Sequence, residues 1–197
     1  MIRIPIITLS ISSAALIVYV WPSLADGLVY ERQTILEGQW WRLLTAPFVH
    51  FSFSHFFWDT LVFCIAGWMI EKSGYPKFWA VCIFASIFPG LFYLMAAPEL
   101  ERYGGLSGLA TGAVVYLCLC RCRKIGKDRI IWITMLGIMG LKIIVEAAIG
   151  QSLFVHAGSI KFRNLPSAHV FGFTGAVIVW LWSQMLNQLS MKNIHSA

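Results

Sequence analysis

The sequence predicts an all-α membrane protein, a bundle of six transmembrane helices, and three observations predict it. Of 197 residues, 58% are hydrophobic and 12% charged, against about 25% charged in an ordinary soluble domain. Apolar runs recur along the chain, each able to supply the roughly 17 to 25 residues that carry a helix across about 30 Å of hydrocarbon. The basic residues gather between alternate runs, as they do in chains threaded back and forth through a bilayer.

Taken in order, Ile4 to Ala25 gives a first helix over about 4–24. Arg3 ahead of an apolar run also fits a secretory signal, but this run is too long and lacks a small-x-small cleavage site before the next span. Residues 25–52 mix Asp26, Glu31, Arg32, Glu37 and Arg42 with Trp40, Trp41, Phe48 and Phe51, which predicts an outer loop half-buried in the interface. The remaining helices fall at about 53–71, 77–97, 106–122, 130–150 and 167–188, the fifth run being broken by Lys142 and Glu146. No repeat, low-complexity tract or soluble domain is visible, so residues 1–197 read as one domain whose function lies in the membrane.

With the N-terminus inside, the inner side holds Arg3, Lys72, Lys77, Arg121, Arg123, Lys124, Lys127, Arg129 and Lys192. The outer side holds Arg32, Arg42, Arg102, Lys161 and Arg163, and the excess predicts an N-in, C-in topology. The net charge of +6 is then a topology anchor against anionic headgroups; it predicts membrane lipid and no nucleic acid as partner. Cys64, Cys82, Cys118, Cys120 and Cys122 are odd in number and lack C-x-x-C spacing. They read as packing residues, with juxtamembrane acylation the alternative, and no metal or cofactor is expected.

Four polar residues fall at one depth. At about 1.5 Å per residue, Ser107 and His169 lie within roughly 3 to 8 Å of the outer interface. Asp59, near the start of helix two, and Glu146, near the end of helix five, share that layer. Ionisable groups in a span are costly, so a layer of them marks a functional site. The 62 residues from Ser107 to His169 cross helices four and five and return the chain to the same face. A serine beside a neutral imidazole is a nucleophile and its base. The plain alternatives are a histidine satisfied by a backbone carbonyl and a small residue in a helix contact.

The neighbours of Ser107 favour chemistry. Gly104-Gly105-Leu106-Ser107-Gly108 enters a helix N-terminus, where unpaired amides around Leu106 and Ser107 can face a developing oxyanion. Gly108 and Gly112 on helix four, with Gly172 and Gly175 on helix six, let the two helices draw close. The soluble-hydrolase elbow is excluded, because Leu109 stands where G-x-S-x-G needs glycine.

Together these residues resemble the rhomboid intramembrane proteases. The family's G-x-S-G motif is similar to Gly105-Leu106-Ser107-Gly108, and its A-H-x-x-G motif to Ala168-His169-Val170-Phe171-Gly172. Trp41-Arg42 followed by His50-Phe51-Ser52-Phe53-Ser54-His55 resembles its first loop and second helix. The resemblance implies a Ser107–His169 dyad without a carboxylate, in a water-filled cavity open to the outer, periplasmic face of a bacterial inner membrane, with His55 helping the oxyanion hole. Asp59 stands where the family has Asn, Thr111 where many members have Tyr, and Ala176 where a later glycine is usual. An ionised Asp59 would repel an oxyanion, so it can donate only if burial keeps it protonated.

The compact form and the Lys142 to Glu146 pair resemble the rhombosortase branch, which implies substrates ending in Gly-Gly, a hydrophobic span and a basic tail. More broadly, the implied partners are transmembrane or C-terminally anchored proteins. Lys142 and Glu146 read either as an i,i+4 ion pair neutralising both charges or, more sharply, as a pair in which Glu146 orients His169. A catalytically inactive relative that binds or escorts spans is the competing class; a transporter lacks the paired inverted repeat it would need.

Overall fold

The computed structural model describes residues 3–123, 125–150 and 166–195. The chain is predominantly helical. Helix α1 (Ile6–Val20) packs along α5 (Phe53–Ser73). The Glu71 carboxylate accepts from the Ile7 and Thr8 amides and from the Thr8 hydroxyl, which satisfies donors that the first turn of α1 leaves open. Helix α1 stops at Val20, and α2 (Pro22–Leu28) leaves it at 114°. The first helix expected over 4–24 is therefore broken, because proline at 22 disfavours helical backbone at Trp21 and is itself suited to a helix start.

The segment expected as a loop is built of small pieces. Strand β1 (Tyr30–Glu31) is followed by α3 (Arg32–Leu36), α4 (Arg42–Thr45) and a 3-10 turn at Ala46–Phe48. Arg42 is buried at its centre, donating to the carbonyls of Asp26 and Val29 and to Gln39 Oε1. β1 pairs antiparallel with β2 (Arg102–Tyr103), Tyr30 facing Tyr103, and so ties this segment to the chain just before Gly104. Tyr30, Tyr93 and Tyr103 meet edge to face beneath the pair.

Helices α6 (Phe78–Ala96), α7 (Ser107–Cys122), α8 (Arg129–Ile149) and α9 (Pro166–His195) complete the chain. Among the described residues, α5, α6, α8 and α9 are long and apolar enough to cross a membrane, and α1 with α2 makes a fifth candidate if the bent pair is one span. α7 is the central helix, touching α5, α6, α8 and α9, and ten of its sixteen residues are buried. The joint between α8 and α9, which carries Lys161 and Arg163, lies outside the described residues, as do Lys124 and the side chain of Lys192.

Candidate active site

The position of Ser107 follows from α7 itself. Its sixteen residues rise about 24 Å, which makes it shorter than the helices long enough to cross a membrane. Ser107 opens it, half-buried, with Leu106 as the N-cap and no side chain capping the first turn. An uncapped helix N-terminus leaves amides that can receive negative charge.

Glycine fixes how near α9 approaches. A Cβ on Gly108 would lie 3.1 Å from the Ala168 carbonyl, and one on Gly112 would lie 3.1 Å from the Gly172 carbonyl. A Cβ on Gly172 would fall on the Gly108 carbonyl itself. The two backbones are in contact, and the residue after Ser107 touches the residue before His169. Among the described residues no hydrogen bond joins Ser107 Oγ to His169; a nucleophile and base are often loosely aligned before substrate arrives.

His169 is buried, and its Nδ1 faces α8. Glu146 Oε2 is 2.5 Å from Nδ1 and Lys142 Nζ 3.1 Å from it. The Lys142 ammonium also lies 2.8 Å from each Glu146 oxygen. Glu146 is fully buried and is the one buried residue of α8. The ion pair and the histidine contact, weighed as alternatives from the sequence, occur together.

The other wall comes from the start of α5. Ser52 caps this helix, its hydroxyl accepting from the His55 amide, which fixes the turn carrying His55. His55 Nε2 is 3.1 Å from Asp59 Oδ2. His50 Nε2 is 3.7 Å from the same oxygen, so two imidazoles approach this buried carboxylate. Gly105, at φ 120°, lies against the His55 ring; a Cβ there would stand 2.5 Å from its Cε1. Only glycine suits both that backbone and that gap.

His50 is a site-wall residue to which the sequence assigned no role. Its Nδ1 is 3.2 Å from the Phe48 carbonyl, and its Nε2 accepts from the Leu106 amide at 3.2 Å. Together these define a neutral ring protonated on Nδ1. Burial pushes its pKa below the ordinary value, outweighing the nearby Asp59 carboxylate. The Leu106 amide, expected to face an oxyanion, is thus engaged by His50, and the amides that follow it at the start of α7 remain for that purpose.

Residues 37–185, three quarters of the chain, match the family described as Rhomboid domain. The chain belongs to the rhomboid family. It is also 29% identical over 92 residues to rhomboid protease GluP of Bacillus subtilis (strain 168), a match covering 45% of this chain and 18% of that protein. This chain therefore spans well under half the length of that relative. As a rhomboid with helices of this length and apolarity it is an integral membrane protein. The family match encloses His50, His55, Asp59, Ser107, Glu146 and His169.

Proposed function

We propose that this rhomboid is an intramembrane serine endopeptidase that cuts the anchor regions of other membrane proteins, with Ser107 as nucleophile and His169 as base. The observation that carries the reading is the Gly108–Ala168 backbone contact beside an uncapped helix start, within a chain of the rhomboid family. Ser107 Oγ attacks the scissile carbonyl carbon while its proton passes to His169 Nε2, the ring nitrogen opposite the one facing Glu146. The oxyanion is received by amides at the start of α7, with His55 at its side. Collapse breaks the C–N bond, and the leaving amine takes the proton from His169. Water then repeats the sequence on the acyl-enzyme and frees Ser107.

A substrate helix hides its carbonyls in its own hydrogen bonds, so a scissile segment must unwind, and small or helix-breaking residues near its outer end are expected. The finer reading is rhombosortase-type processing of tails ending in Gly-Gly, a hydrophobic span and basic residues. It places the chain in a bacterial inner membrane as six N-in, C-in spans, with the site toward the periplasm. An escort protein that binds spans without cutting is the second reading, favoured by the Asp59 carboxylate beside the oxyanion position.

Purified protein with a single-span reporter separates the two. Ser107→Ala and His169→Ala are each expected to abolish cutting while the helical spectrum is retained. A Ser107→Ala variant that still cleaves defeats the assignment, and a wild type that binds the reporter without cleaving it establishes the escort reading.

A further inference from the structure

Resting on the protease reading, we propose that Glu146 is the positioning residue for His169, holding the imidazole in the Nδ1–H tautomer, and that Lys142 supplies the charge that lets this carboxylate stay ionised. The unit is then serine, histidine and glutamate drawn from α7, α9 and α8, rather than serine and histidine alone.

The first argument is where the carboxylate points. Residues around Glu146 on α8 face outward: Leu141 is 62% exposed and Ile144 67%. An ion pair that served only to cancel two charges could lie on that outer face, where Lys142 and Glu146 need no third partner. Instead Glu146 is turned inward to complete burial, 2.5 Å from His169. Burying a carboxylate costs stability that an apolar side chain at the same place would not.

The second argument is proton placement. Nδ1 has two neighbours of opposite kind, a carboxylate acceptor and an ammonium donor. While Glu146 is ionised, the closer and charged acceptor takes the Nδ1 proton, and the ammonium donates to the carboxylate oxygens, each 2.8 Å away. Nε2 is then bare and able to accept from Ser107. If the carboxylate is neutralised, the ammonium is the stronger partner left for Nδ1. The proton moves to Nε2 and the ring can no longer act as a base toward serine. Lysine, glutamate and histidine carry no net charge together, which makes the cluster tolerable within the bilayer.

A fluorophosphonate tests this without knowledge of the natural substrate. Ser107 Oγ forms a bond to phosphorus, the P–F bond breaks, fluoride leaves, and the serine proton passes to His169. In Glu146→Gln the saturating labelling rate is expected to fall about 10²- to 10⁴-fold, with the half-saturating reagent concentration unchanged. The double variant Lys142→Met/Glu146→Leu removes both charges together with any acceptor for the Nδ1 proton. It stays slow if Glu146 positions the ring, and recovers if the pair merely cancels charge. Nitrogen-15 histidine spectra at pH 8, assigned by subtracting a His169→Gln sample, should show the His169 proton on Nδ1 in wild type and on Nε2 in Glu146→Gln.

A wild-type proton on Nε2, or a labelling rate within threefold of wild type in either Glu146 variant, overturns the inference. Wild-type protein that is never labelled at Ser107 defeats the protease reading instead. The wild-type spectrum is informative even if a variant does not fold.

Discussion

Helices α7 and α8 read alike as apolar runs, yet α7 buries ten of sixteen residues and α8 one of twenty-one. Their glycines differ in the same way. Gly108 and Gly112 of α7 lie against the backbone of α9, whereas a Cβ on Gly137 or Gly140 of α8 would meet nothing within 4 Å. In lipid an outward leucine is already in an apolar solvent, so hydrophobicity does not choose which helix is packed. Close backbone approach and polar contact do. α7 is held along its length by the first, while α8 lays the partly buried Trp132, Leu136 and Met139 against the core and buries one carboxylate at the site.

The largest expected effect comes from breaking the tight side of that comparison. Gly172→Leu puts a branched side chain where a single Cβ would already overlap the Gly108 carbonyl, and neither backbone can give way without separating Ser107 from His169. Overpacking of this kind costs about 3 kcal/mol or more. Unfolding in detergent is expected to show that loss together with loss of cutting. A Gly172→Leu protein of wild-type stability would mean that α7 and α9 are not in backbone contact.

The next effect concerns the start of α7. His50 can accept the Leu106 proton only while neutral. Its folded pKa lies below the ordinary 6.5 because of burial, so between the two values the unfolded chain binds the proton and the folded chain does not. The hydrogen bond's contribution is fully present above about pH 6.5 and declines as pH falls toward the folded value. Replacing His50 by Gln keeps an acceptor and removes the titration. The stability of wild type relative to His50→Gln should therefore fall by about 1 kcal/mol on acidification, on the scale of one hydrogen bond. A difference flat from pH 7.5 to 5 would exclude His50 as the acceptor.

What could be read in the sequence follows the same division. Ser107 and His169 stand out through glycine-bearing motifs, since close approach requires glycine and glycine is visible. The bounds of α5 were legible from charge and apolar length, matching Phe53–Ser73 within two residues. The break after Val20 was carried by Pro22, but the surrounding run is apolar throughout and hides it. Strand β1 pairs over two residues, too short for any alternation to show. The inward turn of Glu146 was not legible, because a helix surrounded by lipid has no polar face to set against a buried one. His50 gives no sign of its role, since an acceptor for a backbone amide depends on the fold that delivers that amide.

The smallest expected effect tests the loose side. Gly140→Ala adds a methyl group where nothing lies within 4 Å, so no overlap opposes it. It also removes backbone freedom from the unfolded chain, and glycine inside a helix costs roughly 0.5 to 1 kcal/mol relative to alanine. The variant should be as stable as wild type or more stable by up to about that amount, with cutting unchanged, because Gly140 lies away from the Lys142, Glu146 and His169 contacts that join α8 to the site. The same substitution at Gly172 should be destabilising, since there the new methyl falls on a carbonyl. If Gly140→Ala destabilised the protein by more than about 1 kcal/mol, Gly140 would have to face a packed neighbour, and the open space around it on α8 would be wrong.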